Sequence, residues 1–434
     1  MIYDIVIIGG GASGLMLAAN MDLEGAAGLI LEGSARAGSK LLMSGGGRCN
    51  MTHGGPAREL VYAYGDAGTA LRRCLYKHNN LELALWMDNH GVTPADENGE
   101  PLDLSKGVRA LEGAGRIFPA SMKSRDVLDA MLAAAADNGW LLETDSKVTS
   151  LIRCCEQGGA YVSGVCGGSK MAPNMSSSRE DCTENEKASG KRSAWEVKLE
   201  DGRRISSSKV VIASGGVTYP ETGSDGSLFG ILKGLGVEIT EPRPALAPVY
   251  VEDYPYADLA GISIPDVTVI AFGTDAACTC KGKAAKMKGD LLFTHEGFSG
   301  PVILNISRYA EAGETLRLCY NKELPELPRR MQNALRERAR GPLGDVRTGV
   351  LARLLSQDDF TVRGVDGRGM VTAGGVTFDS LDMKTMRVKA FEDLYIIGEA
   401  LDADGISGGY NLQMCWSTAC TCADELKKTT GQEH

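Results

Sequence analysis

The chain has 434 residues, with 43% hydrophobic and 24% charged side chains, and this composition excludes a mainly disordered or collagen-like polypeptide. The formal net charge of −10 argues against a general nucleic-acid binder, so we expect no nucleic-acid partner. The sequence contains no apolar run of about 18 residues, and its first residues lack a basic segment and a cleavage site. We therefore expect no membrane partner and a cytoplasmic location.

The glycines and cysteines indicate which kinds of binding site to expect. Glycine is over-represented, at 55 residues, and its clusters predict loops where backbone approaches a ligand. The 12 cysteines have neither the spacing of a small disulfide scaffold nor paired C-x2-C knuckles. We expect reduced thiols and no metal site.

The N-terminus predicts a strand-helix-strand unit. Residues 4–8 are a short β-branched run typical of a buried parallel strand, residues 15–21 favour a helix, and residues 28–32 favour a second strand. The motif Gly9-x-Gly11-x-x-Gly14 lies between the first strand and the helix, which is the context that dinucleotide binding requires. Glu32 ends the second strand, where its carboxylate can accept hydrogen bonds from a ribose.

The middle of the chain predicts alternating loops, helices and strands. We interpret residues 38–55 as a glycine-rich polar loop, and residues 71–90 and 124–138 as helices. Strands are predicted at residues 147–152, 195–199 and 210–213. Residues 154–193 are rich in Gly, Ser, Asn and charge, which predicts an exposed insertion at a hairpin tip.

The C-terminal half begins with a cluster of prolines after residue 242, which marks a domain boundary. A mixed β region is expected to about residue 320, followed by an Arg-rich helical region at 327–355. Residues 395–413 predict a short strand, a glycine-rich turn and a helix whose N-terminus would favour negative charge. This segment and the loop at 38–55 suit the flavin end of a cofactor whose adenosine end lies at Glu32.

Together, these motifs resemble those of a known protein family. The chain resembles the bacterial NAD(P)/FAD-dependent oxidoreductases that include aminoacetone oxidase-like and dehydro bile acid reductase-like flavoproteins, with a glutathione-reductase-like FAD fold. The resemblance covers nearly the whole chain, and its matching stretches are Ser44–Asn50, Gly115–Pro119, Ala213–Pro220, Thr222–Gly226, Phe293–Pro301, Gly374–Val376, Thr385-Met386 and Gly398–Gln413.

The resemblance implies an α/β fold in which a discontinuous Rossmann-like FAD-binding domain carries an inserted β-rich plus helical domain. The expected bounds are residues 1–243 and 372–434 for the FAD-binding domain, with 154–193 as an exposed insertion, and residues 244–371 for the inserted substrate domain. The resemblance also implies which residues bind the cofactor, at its pyrophosphate, ribose, adenine, ribityl chain or ring. These residues are Gly9, Gly11, Ser13, Gly14, Glu32, Lys40, Ser44, Gly45, Arg48, Asn50, Val148, Gly215, Gly398, Glu399, Asp402, Asn411, Leu412 and Gln413.

The expected activity follows from the same resemblance. FAD is the expected cofactor and NAD(P)H a possible reductant, and the first candidate reaction is the reduction of an activated C=C in a small or steroid-like molecule. His295 and Tyr410 are the candidate catalytic residues. No second dinucleotide motif is visible, which keeps an O2-dependent amine oxidase of the aminoacetone type as an alternative. A flavin-bearing binding or RNA-modification-associated protein is the alternative of another class.

Overall fold

The computed structural model describes residues 2–154, 160–163, 194–272, 284–342 and 344–429. The helices are α1 Ala12–Ala19, α2 Ser39–Met43, α3 Ala57–Tyr62, α4 Ala67–Lys77, α5 Asn80–Asn89, α6 Ser124–Asp137, α7 Ser227–Gly234, α8 Pro301–Ile306, α9 Arg329–Arg338, α10 Thr348–Ser356 and α11 Tyr410–Thr429. The strands are β1 Ile2–Ile8, β2 Gly28–Leu31, β3 Thr52–His53, β4 Pro94–Ala95, β5 Arg116–Pro119, β6 Leu141–Glu143, β7 Val148–Cys154, β8 Ala160–Ser163, β9 Trp195–Leu199, β10 Arg204–Ile212, β11 Ile239–Ala245, β12 Val249–Val251, β13 Ser263–Phe272, β14 Ala285–Phe293, β15 Gly297–Ser299, β16 Thr315–Cys319, β17 Asp358–Val365, β18 Val371–Val376, β19 Leu381–Asp382, β20 Arg387–Val388 and β21 Leu394–Ile396.

The chain forms two units. The first contains residues 1–242 and 374–434, and the second contains residues 243–373. The first unit is built on a sheet in which β21, β10, β1, β2 and β6 lie side by side and run parallel. The predicted α/β class with a parallel sheet and a further β-rich domain is confirmed.

The parallel sheet is covered by apolar side chains on both faces. Along β1, Ile5 and Ile7 belong to one buried cluster, and Val6 and Ile8 belong to another. This alternation follows from the two-residue period of a strand. Because both faces are buried, the strand is a continuous apolar run, which is the signal that its sequence carries.

Two predicted segments differ from the structure near the N-terminus. The loop expected at residues 38–55 contains α2 and a short 3-10 segment at Ser44–Gly47. The single helix expected at residues 71–90 is two helices, α4 and α5. Asn79 breaks it, because its side-chain oxygen accepts hydrogen bonds from the N–H groups of Leu81 and Glu82 and so caps a new helix.

Of two further predicted segments, one differs from the structure and the other lies mostly outside the described residues. The Arg-rich helical region at 327–355 is divided into α9 and α10, since Pro342 lacks the N–H group that a continuous helix needs. The predicted insertion at 154–193 lies outside the described residues except for Cys154 and β8. Strand β7 pairs with β8 and also with β9, so the strands flanking the insertion are neighbours, as predicted.

The second unit is a closed barrel of β12, β15, β14, β13, β16 and β17. Its core contains aromatic rings in edge-to-face contact, and the centroids of Phe298 and Phe360 are 4.9 Å apart. Such contacts add to the stability that apolar burial provides.

A polar network is buried beside these rings. Asp358 is fully buried and accepts hydrogen bonds from the hydroxyls of Tyr256 (2.6 Å) and Tyr320 (2.8 Å) and from the Arg338 guanidinium (2.6 Å). Burial raises the pKa of the Asp358 carboxyl, and the guanidinium of Arg338 opposes that shift. The network joins α9 to strand β17, and it leaves the carboxylate with three donors.

We expect Asp358→Ala to lower the free energy of unfolding by about 3–5 kcal/mol, because it removes the carboxylate that compensates the partly buried Arg338. The matched control is Asp359→Ala at the next residue, where the ion pair with Arg317 is partly exposed and is expected to contribute about 1 kcal/mol or less. Urea denaturation of the full-length variants measures both losses. Equal losses would contradict a stabilising role of the buried network.

Candidate functional site

The candidate site lies where adjacent parallel strands end. β1 is followed by Gly9, β2 by Glu32, β10 by the segment to Gly215, and β21 by Gly398. Carboxyl ends of parallel strands meet at one edge of the sheet, which is where α/β folds bind ligands. Gly9 and Gly398 are 389 residues apart in the sequence (398 − 9), and the fold brings both to this edge of the sheet.

The three motif glycines have different surroundings at the β1–α1 turn. A Cβ atom at Gly14 would lie 2.0 Å from Gly9 O, and one at Gly9 would lie 2.4 Å from Ala213 O. A Cβ atom at Gly11 would have no atom within 4 Å. The outer glycines therefore allow the helix and strands to pack, whereas Gly11 leaves open space at the helix N-terminus.

This N-terminus has free hydrogen-bond donors. The first backbone bond of α1 runs from Leu15 N–H to Gly11 O (3.0 Å), and the first turn holds no acidic residue. The preceding N–H groups of residues 12–14 have no backbone partner among the described residues. Open space, free donors and the positive end of the helix dipole fit a pyrophosphate, so the residues present suit a dinucleotide such as FAD.

Glu32 is buried beside this turn and has an anchoring role that the sequence did not predict. Its Oε2 accepts a hydrogen bond from Gly10 N–H (2.9 Å), and its Oε1 accepts from the N–H and hydroxyl of Ser34 (both 2.7 Å). A carboxylate has about four acceptor positions, so one remains on Oε2 in this arrangement. The predicted ribose contact is compatible with that position and stays a prediction.

Lys40 and Glu399 form an ion pair that joins two predicted cofactor segments. Lys40 Nζ lies 2.8 Å from both carboxylate oxygens of Glu399 and donates to Thr218 Oγ1 at 2.7 Å. The side chains are 23% and 14% exposed, so little water screens the pair. A Cβ atom at Gly215 would lie 3.8 Å from Glu399 Oε2, which puts the β10 segment at the same point.

A second set of contacts surrounds the start of α11. In the amide orientation that satisfies both of its groups, Asn50 accepts from Gly409 N–H (3.1 Å) and donates to Thr52 O (2.9 Å). Thr52 Oγ1 donates to Gln413 Oε1 at 2.6 Å. Gln413 is fully buried and its amide nitrogen donates to His78 O and Ser417 Oγ, so Gln413 fixes the helix against its neighbours.

The other predicted residues of the 398–413 segment have structural contacts as well. The Asn411 amide donates to Gly405 O (2.9 Å) and accepts from Gly405 N–H (2.8 Å), which closes the glycine-rich turn. Asp402 accepts from Thr240 Oγ1 at 2.6 Å, and Leu412 packs against the apolar core. A Cβ atom at Gly398 would lie 2.2 Å from Ser13 Oγ, so the end of β21 touches the first turn of α1.

The Ser44–Asn50 segment has an exposed outer side. Gly45 and Arg48 are exposed, and Arg48 lies over the Phe118 ring with its guanidinium carbon 5.1 Å from the centroid. The Ser44 hydroxyl donates to Leu41 O at 2.7 Å at the end of α2. Cys49 is buried, and burial raises its pKa to about 12, so its thiol stays protonated and is a poor nucleophile at neutral pH.

Val148 begins β7 and is buried. Two residues before it, Ser146 N–H donates to Glu32 O at 2.8 Å, so the start of β7 lies beside the end of β2. The predicted adenine contact at Val148 is therefore near the predicted ribose contact, and both stay predictions.

Tyr410 is half-buried at the start of α11. Its ring stacks on the His53 imidazole with 5.0 Å between centroids and 14° between planes, and Tyr64 meets it edge-on. Burial and the nearby Glu59 carboxylate raise the Tyr410 pKa, so its hydroxyl stays protonated at neutral pH. That hydroxyl forms no hydrogen bond with any residue that the structure describes.

His295 lies in the second unit. It is exposed in the turn between β14 and β15, and its imidazole has no hydrogen bond or ion pair within the described ranges. Its predicted catalytic role stays a prediction.

Sequence reasoning missed three residues that organise the site: Thr218, Thr52 and Ser34. Thr218 and Thr52 lie in or beside stretches that carried the family resemblance, but nothing in the sequence shows their side-chain partners. No group of three His, Cys, Asp or Glu side chains in the described ranges could hold a metal ion. Among the described helices, none combines the length and apolarity needed to cross a membrane.

Comparison with protein families gives one match across most of the chain. The family described as "HI0933-like protein Rossmann domain" matches residues 3–163 and 169–425.

Curated and solved proteins are also similar to the chain. A ribosomal RNA dihydrouridine synthase of Escherichia coli (strain K12) is 25% identical over 467 residues, covering 98% of both chains. A 3-dehydro-bile acid delta(4,6)-reductase of Clostridium scindens is 26% identical over 459 residues, covering 95% of this chain and 96% of the relative. The crystal structure of a 3-ketosteroid-delta4-(5alpha)-dehydrogenase from Rhodococcus jostii RHA1 is 14% identical with a TM-score of 0.47, covering 97% of this chain and 96% of that one.

The difference between the motif glycines predicts the effect of a methyl group at Gly11. We expect Gly11→Ala to fold normally, because its Cβ meets no atom, and to weaken FAD binding about tenfold or more by displacing charge-assisted hydrogen bonds. Thermal unfolding of the apoprotein and a fluorescence titration with FAD separate the two effects. Gly349→Ala, at an open and exposed position of α10, is the matched control and should change neither FAD affinity nor folding adversely. Undiminished FAD affinity in Gly11→Ala would contradict the pyrophosphate position.

Proposed function

The chain belongs to the HI0933-like family of FAD-binding Rossmann-domain oxidoreductases, and from this membership we propose that it reduces a carbon–carbon double bond conjugated to a carbonyl group. The observation that carries the proposal is that two nearly full-length relatives with unlike substrates have names that imply this same chemistry. Dihydrouridine arises when the C5=C6 bond of uracil, which is conjugated to a carbonyl, gains two hydrogens. A delta(4,6)-reductase saturates double bonds of a bile acid that carries a keto group at position 3.

FAD supplies two-electron transfer when it is bound. The residues of this chain bind and orient the FAD. The free N–H groups at the start of α1 hold the pyrophosphate, and Glu32 holds the ribose. The Lys40–Glu399 pair fixes α2 relative to the turn after β21, and it is expected to keep the sheet edge in one geometry during turnover.

The start of α11 supplies charge stabilisation and a proton. The N-terminus of this helix favours negative charge near Gly409. Tyr410 is our candidate proton donor, since its hydroxyl is protonated at neutral pH and has no partner among the described residues. In the proposed reaction the carbon β to the carbonyl would gain a hydride whose electrons come from NAD(P)H, and the Tyr410 hydroxyl would give its proton to the α carbon. The resulting tyrosinate would then regain a proton from water.

Two substrate classes fit this chemistry. The first is a small or steroid-like enone, which the similarity to the bile acid reductase favours. The second is a uracil base of ribosomal RNA, which the similarity to the dihydrouridine synthase favours. NAD(P)H is the proposed reductant. An amine oxidase that passes electrons to O2 is the competing activity.

The reaction class is tested with the purified holoenzyme under anaerobic conditions, after mass spectrometry has identified the released chromophore as FAD. NADH or NADPH is expected to bleach the flavin absorbance, and a Δ4-3-keto steroid or a uridine-containing ribosomal RNA transcript is expected to restore it. The saturated steroid ketone is the matched control and should not restore it. Bleaching by aminoacetone, with recovery only on admission of O2, would overturn the proposal in favour of the oxidase.

Tyr410→Phe tests the proton donor. We expect reoxidation by the unsaturated substrate to slow by about 10²–10⁴-fold, with FAD content and reduction by NAD(P)H unchanged, because only the proton transfer is removed. Tyr62→Phe, which removes an exposed hydroxyl, is the control and should react at the wild-type rate. An unchanged rate in Tyr410→Phe would exclude this role.

A further inference from the structure

We propose that an exposed groove on α4, formed by Arg72, Arg73, Tyr76 and Lys77, binds single-stranded RNA. The two arginines would contact phosphates, and the Tyr76 ring would stack on a base. This inference rests on the second substrate class proposed above, a uracil base of ribosomal RNA, and it names the surface that would hold the RNA around that base.

The amphipathic pattern of α4 creates the groove. Leu71, Cys74 and Leu75 are buried in the core, and the four groove residues are exposed on the other side. Arg72 and Tyr76, and Arg73 and Lys77, are i,i+4 pairs, so each pair is adjacent on the helix surface. They line a shallow space of about 620 Å³.

The charges of the groove are only partly compensated. Some exposed arginines pair with carboxylates, as Arg116 does with Glu97 and Arg363 with Glu296. Lys77 pairs with Asp424. Arg72 and Arg73, by contrast, form no ion pair or hydrogen bond with any residue in the described part of the chain. Two adjacent guanidinium groups without a carboxylate are a local positive patch on a chain of net charge −10.

An aromatic ring beside these guanidinium groups distinguishes RNA from a simple anion. Tyr76 is 50% exposed, and Tyr62 on the packed helix α3 is 80% exposed. Aromatic rings stack on unpaired bases while basic side chains follow the phosphates, and this pairing is typical of single-stranded RNA recognition. The groove contains no aliphatic side chain of the kind that would enter a lipid surface.

The groove changes one expectation from the sequence. The net charge led us to expect no nucleic-acid partner, but net charge describes the whole surface and not a local patch. The sequence does not reveal the four residues as a patch, because it does not show which basic side chains lack a carboxylate partner in the folded chain.

The proposal is tested by fluorescence anisotropy of a labelled single-stranded ribosomal RNA fragment, with the FAD-loaded full chain, at several KCl concentrations. Arg72→Gln/Arg73→Gln is expected to weaken RNA binding about tenfold or more and to lower the slope of log K against log salt by about 1.4, since two phosphate contacts are lost. The matched control is Arg329→Gln/Arg336→Gln on α9, which removes the same charge from exposed arginines and should retain wild-type affinity and slope.

The base contact has its own pair of variants. Tyr76→Ala is expected to weaken binding by about tenfold, whereas Tyr76→Phe keeps the ring and should bind as the wild type does. Equal RNA affinity in the wild type, the groove variants and the α9 control would overturn the proposal. Binding to anionic lipid vesicles without binding to RNA would also overturn it.

The outcome is separate from that of the proposed function. Reduction of the bound flavin by NAD(P)H does not involve the groove, so the Arg72→Gln/Arg73→Gln enzyme should be bleached at the wild-type rate. Loss of RNA binding in this variant, with flavin reduction intact, supports the groove. RNA binding without any C=C reduction would refute the proposed function and leave the groove in place.

Discussion

The packing of α1 directly onto the turn that precedes it is the constraint on which the site depends. A Cβ atom at Gly14 would lie 2.0 Å from Gly9 O, so the helix reaches its position only because Gly14 has no side chain. That position aims the free N–H groups of the first turn at the sheet edge, beside Glu32 and the end of β21. Every other feature of the site is built around a helix end whose place is fixed by backbone contact.

The elements that could be predicted from the sequence are those whose signal is local. The β-branched run of β1, the glycine motif and the strand ending at Glu32 each have a short-range physical cause, and the α/β class follows from them. The segment at 395–413 was also recognised from its residues as a strand, a glycine-rich turn and a helix, and the family resemblance added which of its residues are expected at the cofactor. Helix ends were predicted less well, because one capping side chain, Asn79, outweighed the helix propensity of its neighbours.

The contacts that organise the site could not be predicted in the same way. Lys40 and Glu399 are 359 residues apart, and their pairing is decided by the order of strands in the sheet. The sequence marked both as cofactor residues, yet each also binds the other, and Thr218 completes the set. Gln413 and Asn411 were likewise expected at the cofactor, and in the structure their amides donate to the backbone oxygens of His78 and Gly405. The residue types show which hydrogen-bonding groups a segment contains, whereas the tertiary structure determines which of those groups remain free for a ligand.

The strand order also sets a sequence of events during synthesis. β1 pairs with β10 at residues 204–212, and β10 pairs in turn with β21 at residues 394–396. The edge of the sheet at the candidate site therefore lacks one strand until residues 394–396 have been synthesised. The strands of the barrel, by contrast, all lie between residues 249 and 365 and can pair as a contiguous block. The parallel sheet therefore cannot be complete before β21 has been synthesised, and until then β10 lacks one of its two parallel neighbours.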